Sequence, residues 1–140
     1  MFVQLSLPRL SILVLGLAAS ACAQGGGEVP ATALLGPEWV VEDIAGRGII
    51  DNSHVTLNFE AEGRSGGKGS CNTYGAGYQT DGNKITFESP FSTMMACAEA
   101  LMNQERVFFD LLPVIKRFDI ADDGALILST EDGRTITARR

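Results

Sequence analysis

Ile115-Lys116-Arg117-Phe118-Asp119-Ile120, Ala125-Leu126-Ile127-Leu128-Ser129-Thr130 and Arg134-Thr135-Ile136-Thr137-Ala138 follow one another with little more than Asp122-Asp123-Gly124 and Glu131-Asp132-Gly133 between them. Short segments of alternating polarity joined by Asp-Gly turns mark an antiparallel meander, because glycine adopts positive φ without steric cost. Just upstream the period changes. Ala98 to Leu112 is rich in helix formers, with Leu101, Phe108, Leu111 and Leu112 near one face and Asn103, Glu105, Arg106 and Asp110 near the other. Pro113 stops that helix.

Further towards the N-terminus the strand pattern returns. Lys84 to Phe87 and Tyr74 to Thr80 flank Asp81-Gly82-Asn83, a hairpin turn. The stretch Gly63 to Gly69 is glycine-rich and leads into Ser70-Cys71-Asn72. His54 to Glu60 alternates, placing Val55, Leu57 and Phe59 on one face and His54, Thr56 and Asn58 on a face expected to meet water. Glu38 to Ile44 reads as a strand with Trp39 as a core anchor, broken by Gly46-Arg47-Gly48. The expected fold is mainly β (α+β): a strongly curved antiparallel sheet or partly closed barrel of about seven or eight strands, with one inserted helix, hiding its edges by curling.

The first residues have another character. Leu10 to Ala19 is an apolar run of 10 residues behind Arg9, the length of a signal h-region and half of the roughly 20 residues a membrane span needs. Ala18, Ala19, Ser20 and Ala21 before Cys22 resemble the lipobox of bacterial lipoproteins, in which the cysteine thiol is acylated. Residues 1–21 are therefore read as a signal peptide and Cys22 as the lipidation site. Cleavage at Ala19-Ser20-Ala21 without a lipid, and an uncleaved anchor, are the two other readings. Residues 22–34, with Gly25-Gly26-Gly27, have linker composition, and 35–140 is the folded domain. Ala23 after the cysteine resembles the outer-membrane sorting pattern, so with two membranes the expected place is the outer membrane, facing the periplasm. With one membrane the domain would be secreted or surface-anchored.

The chain has 11 basic and 17 acidic residues, net −6; residues 1–21 hold Arg9 and no acid, which leaves 10 basic and 17 acidic, or −7. That balance argues against nucleic acid and against electrostatic adhesion to anionic lipid, so membrane contact is assigned to the lipid alone. Of three cysteines, Cys71 and Cys97 remain once Cys22 is given to the lipid. In an oxidising compartment they are expected to pair, closing a loop worth about 3–4 kcal/mol; two buried free thiols are the other reading. One histidine, His54, leaves a zinc set short of a ligand. Gly63 to Gly69 does not make a phosphate loop, since Gly69 stands where Ser or Thr must hold magnesium. Met94 and Met95 are expected to fill core, His54 to be exposed, and Asn72 to bond nearby backbone in a tight corner. Asp122, Asp123, Glu131 and Asp132 lack the spacing of a calcium loop and read as turn residues.

Phe59, Gly63, Ser70-Cys71-Asn72-Thr73-Tyr74, Tyr78, Asp81-Gly82-Asn83, Ile85 and Phe87, followed by Thr93-Met94-Met95-Ala96-Cys97 and Leu101 to Glu105, resemble the two signatures of the META domain family. Asn72, Tyr74, Thr93 and Met95 are the signature residues singled out. Ser70 departs from the pattern, which has glycine before Cys-Asn. The resemblance implies a small curved β fold with a helix, and kinship with a heat-inducible bacterial envelope protein linked to stress tolerance. It brings no activity, cofactor or metal. The resulting expectation is a non-enzymatic envelope lipoprotein that binds or supports another envelope component; the alternative is a small-ligand carrier with a lipocalin-like pocket. A filled interior with an exposed apolar patch favours the first, and an internal cavity the second.

Overall fold

The computed structural model describes residues 27–140. The signal segment, Cys22 and the start of the tether lie outside the described residues. Strands β1 (Trp39–Ile44), β2 (Thr56–Phe59), β3 (Arg64–Lys68), β4 (Thr73–Asp81), β5 (Lys84–Phe87) and β6 (Phe91–Ser92) precede helix α1 (Glu99–Leu111). The meander β7 (Ile115–Ile120), β8 (Leu126–Thr130) and β9 (Thr135–Arg139) follows it. All pairings are antiparallel, in the order β3-β2-β1-β9-β8-β7-β5-β4, and β3 also pairs with β4. That last pairing closes an eight-stranded barrel rather than a partly open one. The two-residue β6 adds to β4 through Tyr74↔Ser92 and Gly75↔Phe91, just beyond the segment of β4 that pairs with β5.

The turns carry out what their residues dictate. Gly82, Gly124 and Gly133 all have positive φ, at 59°, 85° and 86°, values an L side chain adopts only at a cost. Inside, the fully buried side chains of Leu57, Ile85, Phe108, Phe118, Leu126 and Leu128 pack into one cluster with Trp39 and Ile136. Eight strands enclose a space that side chains can fill, and here α1 contributes to the filling. It lies over the barrel end made by the β1–β2 loop and the β3–β4 turn, sending Phe108 and Leu111 into the core.

Two expectations about the strands' surroundings change. Thr56 is fully buried instead of facing water. The glycine-rich β3 passes so close that a Cβ on Gly67 would stand 2.5 Å from Thr56 Oγ1. Sealed in this way, Thr56 Oγ1 accepts from the Lys68 amide at 3.0 Å, and its carbonyl accepts from the Tyr74 hydroxyl at 2.9 Å. The packed fold also begins inside the stretch read as tether. Ala31–Leu34 forms a 3-10 turn, Leu34 is buried, and its carbonyl accepts from the Trp39 indole at 2.9 Å.

The only two tyrosines of the chain, Tyr74 and Tyr78, both have phenol pKa values raised above the ordinary 10.0, by burial first and then by nearby glutamates. A raised phenol pKa means stability that is complete below pH 10 and is lost as pH climbs towards the folded-state values. Ultraviolet titration should therefore show both phenols ionising above pH 10, the deeply buried Tyr74 only together with loss of the fold. A normal transition at pH 10 in folded protein would contradict this.

Candidate functional site

The β3–β4 turn is the corner on which the most elaborate polar cluster is built. Ser70 sits at φ 104°, a region that favours glycine, so its departure from the family pattern falls where a side chain is strained. Its Oγ accepts from the Ser53 hydroxyl at 2.8 Å. Beyond it, the buried Asn72 amide reaches away from its own neighbours. Oδ1 accepts from Thr93 Oγ1 at 3.0 Å and from the Met95 amide at 2.6 Å, while Nδ2 donates to Glu105 Oε1 at 2.7 Å. Glu105 Oε2 accepts from the Cys71 and Asn72 amides at 3.0 and 2.5 Å. Asn72 thus ties three separate segments together, where a bond within one tight corner is what the sequence suggests.

Glu105 corrects a second expectation. Placed on the polar face by composition, it is 8% exposed. Its position shows why: four residues after Leu101 and three before Phe108, it lies on the apolar stripe of α1, and a buried carboxylate is tolerated there because three N–H groups satisfy it. That spacing was the signal in the sequence. Cys71 and Cys97 are bonded, with Cα atoms 5.9 Å apart. The link fastens the turn to the residue before the Ala98 N-cap, which has no side-chain hydrogen bond of its own.

These ties hold the loop from β6 to α1 outside the barrel. Met94 is 97% exposed, Met95 52%, and the Phe91 side chain 75%. The methionines do not fill core, because the interior is already occupied and the Asn72–Thr93–Met95 bonds fix the loop against the outer wall. Of the four signature residues, Asn72, Thr93 and Met95 meet in this cluster. Tyr74 points inward instead, its ring 5.4 Å from those of Phe108 and Phe109.

Beside the loop runs an open furrow of about 810 Å3 on the outer face of β2, β3 and β4, floored by Gly66 and Gly75. Phe91 lies on that floor; a Cβ on Gly75 would stand 2.6 Å from its ring. Glu60 and Arg64 pair at 2.5 Å along one side, and Glu60, then Glu62, raise the Arg64 pKa above its ordinary value. Elsewhere two of the four acidic turn residues pair with arginines: Asp123 meets Arg139 at 2.6 Å and Asp132 meets Arg134 at 3.0 Å. His54 is exposed, and Gly63 to Gly69 supplies β3 and its flanks. Among the described residues, no group of three or more His, Cys, Asp and Glu could hold a metal ion, and no helix is long and apolar enough to cross a membrane.

A family model described as META domain matches residues 32–140. The chain belongs to the META domain family. Its match spans the barrel, the helix and the whole polar cluster. Two solved structures are similar to this META domain in fold. One, an NMR structure of a protein from Burkholderia xenovorans, is 23% identical with a TM-score of 0.65, covering 89% of this chain and 97% of that one. A second NMR structure is 18% identical with a TM-score of 0.62, covering 79% and 94%. No curated protein matches the chain.

Asn72→Ala should cost about 2–3 kcal/mol, since it strips a partner from a buried carboxylate and frees the Met95 amide. Hydrogen exchange at Met95 should accelerate by more than the global loss of stability explains. Unchanged exchange there would show that Asn72 does not hold the loop.

Proposed function

We propose that this META domain is the binding head of a non-enzymatic envelope lipoprotein, tethered through a lipid on Cys22 and docking another envelope component on the Phe91–Met95 loop. The observation that carries this is the display of Phe91, Met94 and Met95 on a loop pinned by a disulfide and by Asn72. Large apolar side chains held rigidly in water mark an interaction surface. The filled interior weighs in the same direction, because a lipocalin-like carrier needs that space for its ligand. Kinship with a stress-linked envelope protein fits a supporting role under stress. No nucleic acid is expected to bind, given the net charge of −6.

The test has two arms. Wild-type protein should partition into detergent, and Cys22→Ser should release it to the aqueous phase; soluble wild type with no added mass on Cys22 removes the anchor. Photocrosslinking from position 91 in the native envelope should capture one predominant partner, lost on Met94→Ser. Capture that ignores the loop's apolarity would remove the docking surface.

A further inference from the structure

The four methionines of the chain are Met1, Met94, Met95 and Met102. Methionine is ordinarily a core filler, yet none of the last three is buried: exposure is 97%, 52% and 36%. Nor is the exposure that of a loose end. The Met95 amide is fixed to Asn72 Oδ1 at 2.6 Å, its carbonyl lies 3.4 Å from Cys71 Sγ, and the disulfide follows two residues later. The polypeptide is held while the thioethers stand in solvent.

We propose that Met94, together with Met95, is an oxidation site that switches the apolar loop from a docking surface to a polar one. The switch rests on the reading of that loop as a binding surface; the oxidation site rests on exposure alone. The oxidant is of the peroxide class. A sulfur lone pair attacks one peroxide oxygen, the S–O bond forms, and the O–O bond breaks. The sulfur gives up two electrons, and the departing hydroxide collects the hydroxyl proton and leaves as water. The product sulfoxide is polar and chiral, and methionine sulfoxide reductases reverse it. The barrel is spared, because its interior contains no methionine among the described residues.

The experiment uses the full chain carrying Cys22→Ser, which removes the need for detergent. Hydrogen peroxide is added to folded protein and each methionine is followed by peptide mass mapping. Rates should rank with exposure, Met94 reacting fastest, then Met95, then Met102. Equal rates, or Met102 first, overturn the site. The surface is read with anilinonaphthalene sulfonate, taking as loop-bound the fluorescence that Phe91→Ser removes. Oxidation should abolish more than half of that signal and sulfoxide reductases should restore it. The Met94→Leu/Met95→Leu protein should keep its signal through the same treatment. If the loop-bound signal survives oxidation of Met94 and Met95, the switch is wrong while the docking surface stands. If untreated protein has no Phe91-dependent signal, the docking surface is wrong and the switch falls with it, whatever order the methionines follow.

Discussion

Phe108→Ala is expected to lower the unfolding free energy by about 3–5 kcal/mol, the range for deleting a buried aromatic ring. Phe108 is fully buried, stacks edge-on against Tyr74 with centroids 5.4 Å apart, and carries α1 into the barrel end. Removing it leaves a void lined by residues that strands hold in place and that cannot collapse inward. Two residues on, Asp110 is exposed, and Asp110→Ala should change stability by less than about 0.5 kcal/mol. Denaturant unfolding of the two variants side by side decides the matter; equal small losses would mean that the helix does not present this face to the core.

Breaking the disulfide should cost nearly as much. The link spans 26 residues, and closing a loop of that size is worth about 3–4 kcal/mol in the chain-entropy model. Cys71→Ser and Cys97→Ser should therefore lower stability by similar amounts, and the double variant should fall no further, since either change alone removes the link. The bond ties the β3–β4 turn to the residue before the N-cap of α1. A double variant markedly weaker than both singles would show that the sulfurs contribute separately as packing.

What was legible in the residues was whatever is decided locally. The meander and its turns follow from Asp-Gly pairs and alternation, and α1 from its apolar spacing; observed bounds such as Ile115–Ile120 and Glu99–Leu111 sit within a residue of the expected ones. The strand that closes the barrel was not legible, because β3 is Arg64-Ser65-Gly66-Gly67-Lys68 and glycines carry no pattern of faces. Its role shows only when its backbone is seen pressed against Thr56. The polar cluster was half legible. Asn72 and Thr93 stood out by resemblance, whereas Glu105 was misassigned by its charge although its spacing put it on the buried stripe. Met94 and Met95 were misassigned by their apolarity: a hydrophobic residue says what it prefers, and Asn72 and the disulfide decide where it goes.

The place of β9 has a consequence for how the chain comes into being. β9 lies between β8 and β1, with Val40 opposite Arg139 and Ile44 opposite Ile136. A polypeptide made from its N-terminus presents β1 early, yet β1 waits for a neighbour some 95 residues later before its ladder is complete. Such distant pairing is slow to close. Until β9 is in place, the seam between β1 and β8 stays open. Because β9 is the only described strand that joins β8 to β1, its removal is expected to open the barrel along its length and not merely trim its rim.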